Sequence, residues 1–196
     1  MIRVFIYDDS DARKESLKTL LDFTDNMLFV GSASDCRSVD EDMSETKPDI
    51  VLMDVEMPLA DGIEGVRKIK HKFPQIKVIM QTVYEDMDKI FKAFQHGAEG
   101  YILKKASITH IIDSIDKVYG GQVFITPSMA LQLMNFFVEP RKLGIEIAAL
   151  SANESEIIQL ISLGYSNKII GEKLNLQDEV INSHIKGIYK KLQLQK

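Results

Sequence analysis

Cysteine is almost absent from this chain. Cys36 is the only one in 196 residues, so no disulfide can form within it. That excludes a disulfide-built scaffold and suits a reducing cytosol, with Cys36 expected as a small helix residue. Long apolar runs are missing as well. The N-terminal run Arg3–Tyr7 is too short for a signal peptide and stops at Asp8 and Asp9, and no stretch is long enough to span a membrane. A cytoplasmic location without membrane attachment is the resulting expectation. Asn153-Glu154-Ser155 matches a glycosylation acceptor, but without a secretion signal it is a chance match. His71, His96, His110 and His184 lack metal-ligand spacing and are read as surface or helix-packing residues. Low-complexity tracts are absent too.

What remains is ordinary globular composition, 45% hydrophobic and 27% charged, with enough chain for one or two domains. The net charge of -5 conceals an asymmetry. Met1 to Glu139 holds 16 Lys and Arg against 23 Asp and Glu, whereas Pro140 to Lys196 holds 8 against 6. An acidic first part with a mildly basic tail is compatible with nucleic-acid binding by the tail.

Strand and helix patterns alternate from Met1 to about Tyr119, which predicts βα repeats around a parallel sheet. Ile50-Val51-Leu52-Met53 reads as a strand buried on both faces, and it ends in Asp54. The strand Arg3–Tyr7 ends in Asp8-Asp9. Open α/β sheets place ligands at the carboxyl ends of their strands. Two strands that each deliver acid to that edge make an anionic pocket, and an oxygen-only ligand set suits Mg2+. The strand Lys77–Gln81 ends at the hydroxyl of Thr82. Gly100–Leu103 ends at the fixed positive charge of Lys104. Acid pair, acid, hydroxyl and lysine at four strand ends form a phosphoryl-transfer constellation. Singly, each has a bland explanation: a helix cap at Asp8-Asp9, a turn at Asp61-Gly62, an N-cap at Thr82, a solvated charge at Lys104.

Taken in order, Asp8-Asp9, Asp54, Met57-Pro58, Asp61-Gly62, Thr82 and Lys104 resemble the receiver domain of two-component response regulators. The whole chain resembles the NarL/FixJ (LuxR-type) subfamily. The resemblance implies a doubly wound (βα)5 α/β receiver with strand order 2-1-3-4-5, followed by a small all-α helix-turn-helix domain. It implies that Asp54 accepts a phosphoryl group from a histidine kinase. Asp8, Asp9, Asp54 and the backbone carbonyl of Glu56 would hold Mg2+. Lys104 would pair with the phosphoryl group, Thr82 would hydrogen-bond it, and Tyr101 would be the aromatic switch. Glu56 and Tyr84 would flank the pocket. Beyond self-phosphotransfer and autodephosphorylation, no enzyme activity is implied. A haloacid-dehalogenase-type phosphatase also uses an aspartate nucleophile, but it wants a second aspartate where this chain has Glu56.

The expected domains are a receiver over residues 1–126, a connector helix and linker over 127–147, and a helix-turn-helix over 148–196. Met129 to Phe137 reads as the connector helix, and Val138 to Ala148 as linker. In the tail, Ser151 is placed to cap a helix with Ile157, Leu160 and Ile161 on one face. Two further helices flank the turn Asn175-Leu176-Gln177, the spacing of a helix-turn-helix. Ile181, Ile185, Ile188 and Leu192 form the core stripe of the last helix, and Glu179, Ser183, Lys186 and Lys190 form its outer face. Such a face enters the DNA major groove. Asn182 would pair with adenine, Lys186 with guanine or phosphate, and Ser183, Lys190 and Lys191 would add contacts. The domain is expected to lack the fourth helix of its family. Transcription regulation, with homodimer formation on phosphorylation, is the expected function. The competing class is a phosphorylation-gated protein-interaction module whose tail does not read DNA.

Overall fold

The structure, a computed structural model, describes residues 1–58, 61–83, 86–126, 129–130, 150–163, 165 and 167–193. The chain divides into two compact units, Met1–Phe124 and Ile125–Lys196.

In the first unit, strands β1 (Ile2–Tyr7), β2 (Met27–Ala33), β3 (Ile50–Asp54), β4 (Lys77–Thr82) and β5 (Gly100–Leu103) alternate with helices. The helices are α1 (Asp11–Asp22), α2 (Val39–Thr46), α3 (Gly62–Lys72), α4 (Met87–Gln95) and α5 (Ile108–Tyr119). The sheet order is β2-β1-β3-β4-β5-β6, with parallel pairing from β2 through to β5. The expected order is therefore present and gains a two-residue strand, β6 (Phe124–Ile125), in which the Phe124 N–H donates to the Glu99 carbonyl at 3.0 Å. Every residue of β3 is buried, as a central parallel strand requires. Val4, Ile6, Leu52, Ile79 and Ile102 pack with Leu17 and Leu21 of α1 and with Ile111, Ile115 and Val118 of α5. The alternate residues Phe5, Val51, Met53 and Met80 are buried too, so both faces of the sheet are covered.

Local signals explain the helix ends. The side chains of Ser10, Asp61, Asp86 and Ser107 accept first-turn amides at the starts of α1, α3, α4 and α5. The expected turn Asp61-Gly62 is thus the N-cap and first residue of α3. That helix closes on Lys70, His71 and Lys72, whose charges favour a C-terminus, and stops ahead of Pro74. Cys36 departs from expectation. It lies in a bend before α2, not in a helix, and is buried with its Sγ 3.3 Å from Met53 Sδ. Burial pushes its thiol up to about 12, which leaves it unreactive.

The N-terminal edge of the sheet is tied down by charged groups. The Arg3 amide donates to Asp49 Oδ2 at 2.8 Å, and its guanidinium to the Lys47 and Thr46 carbonyls at 3.0 and 2.6 Å. Lys70 Nζ donates to the Ile76 carbonyl at 2.6 Å and to Glu99 Oε1 at 2.5 Å. Glu99 Oε2 accepts the Val78 amide at 2.9 Å.

The second unit contains α6 (Ala152–Ser162), α7 (Asn167–Leu174) and α8 (Asp178–Gln193). Ser151 and Glu154 form a capping box at the start of α6: Ser151 Oγ accepts the Glu154 amide, and Glu154 Oε2 accepts the Ser151 amide at 2.6 Å. Ile158, Ile188 and Ala130 form a small core with Leu150 and Ile161 against them. In α6 the deeply buried residues are Ile157 and Ile158, while Leu160 and Ile161 are only partly covered. Between α7 and α8, Asn175 takes a left-handed φ of 54°. Of the expected connector helix, only Met129 and Ala130 lie among the described residues. Both are helical and buried, and their amides bond to Thr126. The rest of that helix and the linker lie outside the described residues.

Candidate functional site

Four strand ends, those of β1, β3, β4 and β5, converge on the C-terminal edge of the sheet. Asp54 closes β3 and pairs in register with Gln81 of β4. Asp8 follows β1 directly, and Lys104 follows β5. Gly62, the first residue of α3, lies so close that a Cβ there would meet the Asp54 carbonyl oxygen at 1.9 Å. Only glycine lets α3 start against this strand end.

Asp8 and Asp54 are buried and Asp9 is exposed, yet all three present carboxylate oxygens within 4.8 Å of one another. Lys104 Nζ bridges two of them, 2.8 Å from Asp8 Oδ2 and 2.9 Å from Asp54 Oδ2. Asp54 Oδ1 accepts the Glu56 amide at 3.3 Å, and Asp8 Oδ1 accepts the Ser10 amide at 3.0 Å. Burial raises the Asp54 pKa above the usual carboxylate range, against the opposing pull of Lys104. Burial alone would lower the Lys104 pKa, but Asp8 and Asp54 reverse it and hold the ammonium above its ordinary value. Two buried carboxylates and one facing solvent, all oxygen donors, match what a hard divalent cation such as Mg2+ requires.

Thr82 is buried at the end of β4, and its carbonyl accepts the Lys104 amide at 2.7 Å. Tyr101 is wholly buried, with its ring centroid 6.2 Å from that of Phe94. Burial raises its hydroxyl pKa, and the neighbouring Thr82 works against the rise. Glu56 turns its exposed side chain to Lys89 of α4, leaving its backbone facing Asp54. Tyr84 lies outside the described residues. Two residues of this edge escape a reading of the sequence, Arg13 and Gln81, joined by a hydrogen bond of 3.1 Å. The only signal for them is an amide inside an otherwise apolar strand.

In the second unit, Glu179, Ser183 and Lys186 are exposed along α8, opposite buried Ile181, Ile185 and Ile188. Asn182 is half-buried, and its Oδ1 accepts Asn167 Nδ2 from α7 at 2.9 Å. Lys190 and Lys191 belong to the same helix, with side chains outside the described residues.

Residues 4–116 match the response regulator receiver domain family, and residues 148–196 match the luxR family of bacterial regulatory proteins. The chain belongs to the response regulators. It is a receiver domain followed by a LuxR-type helix-turn-helix DNA-binding domain, with the NarL/FixJ arrangement. This response regulator is 32% identical over 200 residues to the transcriptional regulatory protein LnrK of Bacillus subtilis, covering 98% of this chain and 91% of that protein. It is 33% identical over 199 residues to the oxygen regulatory protein NreC of Staphylococcus carnosus, covering 98% of this chain and 92% of that one. Among solved structures, a LuxR-family response regulator from Aurantimonas is similar with TM-score 0.66 at 27% identity, over 70% of this chain and 98% of that one. The Salmonella typhimurium regulator RcsB shares the fold, with TM-score 0.64 over the full chain and 95% of the other. No helix among the described residues is long and apolar enough to cross a membrane.

Proposed function

We propose that Asp54 is the phosphoacceptor and that its modification controls DNA binding by α8 and hence transcription. The observation that carries this reading is the cluster of Asp8, Asp9 and Asp54 oxygens within 4.8 Å of one another, bridged by Lys104. The donor is a phosphohistidine of a histidine kinase. An Asp54 oxygen forms the new P–O bond as the donor's P–N bond breaks, and the departing imidazole takes a proton from solvent. Asp8, Asp9, Asp54 and the Glu56 carbonyl are the Mg2+ ligands; bound there, the ion screens the repulsion between carboxylate and phosphoryl oxygens. Lys104 transfers its hydrogen bond to a phosphoryl oxygen, and Thr82 donates its hydroxyl to another. Tyr101, the aromatic switch, reports that movement of Thr82 to the face of β5. The receiver spans residues 1–126, the connector 127–147 and the DNA reader 148–196. The protein works in the cytoplasm and forms a homodimer when phosphorylated. Ser183, Lys186, Lys190 and Lys191 meet phosphates or bases in the major groove, with Asn182 beside them. The name of the relative LnrK, a transcriptional regulatory protein, supports the output.

The test is intact-mass spectrometry with Mg2+ and acetyl phosphate. The wild type gains one phosphoryl group and Asp54→Asn gains none. Undiminished labelling of the variant overturns the assignment.

A further inference from the structure

Residues paired across a parallel ladder project to the same face of the sheet. Gln81 therefore stands beside Asp54, its register partner, on the same side. Gln81 is 2% exposed, and its Oε1 accepts the Arg13 guanidinium of α1 at 3.1 Å. Asp8 and Asp54 lie near enough to favour the charged guanidinium of Arg13, against burial, which disfavours it. Arg13 Nε and Gln81 Nε2 are buried donors with no acceptor among the described residues. The pair thus gains little as a structural bond; its geometry is that of a cation held at a fixed place next to the acidic cluster.

We propose that Arg13, fixed by Gln81, is a resident counter-cation of the acidic pocket and a positioning residue that sets how weakly the pocket holds Mg2+. The inference rests on the reading of Asp8, Asp9 and Asp54 as a cation site. Lys104 already neutralises one charge of that cluster through its bridge to Asp8 and Asp54. A second fixed cation makes an incoming divalent ion pay repulsion twice over, once per unit of its charge. The same cation favours the phosphorylated state, in which the pocket carries more negative charge than before. Arg13 thereby shifts the working balance from metal held at rest toward phosphoryl group held after transfer.

The experiment is isothermal titration of the full-length protein with MgCl2, at two salt concentrations. With a unit charge removed from an environment between water and dry protein, Arg13→Met should bind Mg2+ roughly five- to tenfold more tightly. Arg13→Lys, which keeps the charge, should stay near wild type. Gln81→Met, which frees the guanidinium without removing it, should tighten binding by a smaller factor. Circular dichroism checks that each variant is folded; Arg13→Gln replaces Arg13→Met if the latter is not. Unchanged Mg2+ affinity in the uncharged variants overturns the role of Arg13. So does equal tightening in Arg13→Lys, which would trace the effect to shape. Asp9→Ala in the same titration separates the two layers. If it loses binding while Arg13→Met matches wild type, only the Arg13 inference fails. If it binds like wild type, the cation site itself is wrong.

Discussion

The two units of this chain keep their functional residues in opposite ways. In the receiver the groups proposed to take part in phosphoryl transfer are interior: Asp8, Asp54 and Thr82 are buried, and each is placed by a strand whose own burial fixes where it ends. In the C-terminal unit the residues that would meet DNA sit on the outer face of α8, and among the described residues a small buried cluster of Ala130, Ile158 and Ile188 holds that helix in place. The difference teaches which errors each unit tolerates. The receiver has no slack at its strand ends, because one extra methyl group there collides with the backbone that carries the chemistry. Among its described side chains, the reader helix has slack at Glu179, Ser183 and Lys186 but not at its isoleucine stripe.

One substitution made in both units gives the widest contrast. At Gly62, a Cβ would stand 1.9 Å from the Asp54 carbonyl oxygen. Gly62→Ala should therefore destabilise the receiver by about 3 kcal/mol and impair phosphorylation. At Gly187 of α8, the nearest atom to a new Cβ is Glu154 Oε1 at 3.4 Å, the near limit of an ordinary contact. Gly187→Ala should stabilise its unit by up to about 1 kcal/mol through helix propensity. Urea denaturation followed by hydrogen exchange in each unit reads both; a shift of the same sign in the two breaks the contrast.

A smaller effect lies in the pH dependence of the receiver. Burial raises the Asp54 pKa, so the fold prefers the protonated carboxyl and ionising it costs stability at neutral pH. Asp54→Asn removes that cost. Its melting temperature should exceed that of wild type at pH 7, and the excess should shrink as pH falls through the carboxylate range. It should vanish below the unfolded value, about 3.9. A gap that stays constant across this range would mean that the charge of Asp54 is not its source. Removing the acceptor would then strengthen the domain while silencing it, a direct conflict between function and stability.

The smallest effect belongs to the reader. Lys186→Ala should lower DNA affinity equally for all sequences and reduce the salt slope by about 1, as one lost phosphate contact does. Fluorescence anisotropy over a salt series measures this. A loss confined to one operator sequence would instead make Lys186 a base reader.

The legible parts of the sequence were those governed by short-range rules. The strands, their acidic and basic ends, the turn at Asp61-Gly62 and the cap at Ser151 follow from period, burial and first-turn hydrogen bonding. The strand order came from resemblance, since local pattern carries no pairing information. Strand β6 was invisible because two residues make no period. Cys36 was misplaced because a small apolar residue in a polar stretch gives no phase for a helix. Arg13 looked like any solvated charge in a first turn; its partner lies 68 positions away on another strand. Asn182 was legible as a residue of the recognition helix but not as a partner of Asn167, for the same reason.

The charged ties at the N-terminal edge of the sheet have a mechanical consequence. Arg3 with Asp49, and Lys70 with Glu99 and the Val78 amide, anchor the roots of β1, β4 and β5. Among the described residues the opposite rim is held by Lys104 across Asp8 and Asp54 and by Arg13 on Gln81, all of them ties within the acidic pocket. The sheet is therefore clamped at both ends, and only the rim ties are loaded by the site. A new charge at the loaded rim finds no yielding at the roots. Under the proposed phosphorylation of Asp54, the response would fall on the tips of β4 and β5, where Thr82 pairs with Leu103.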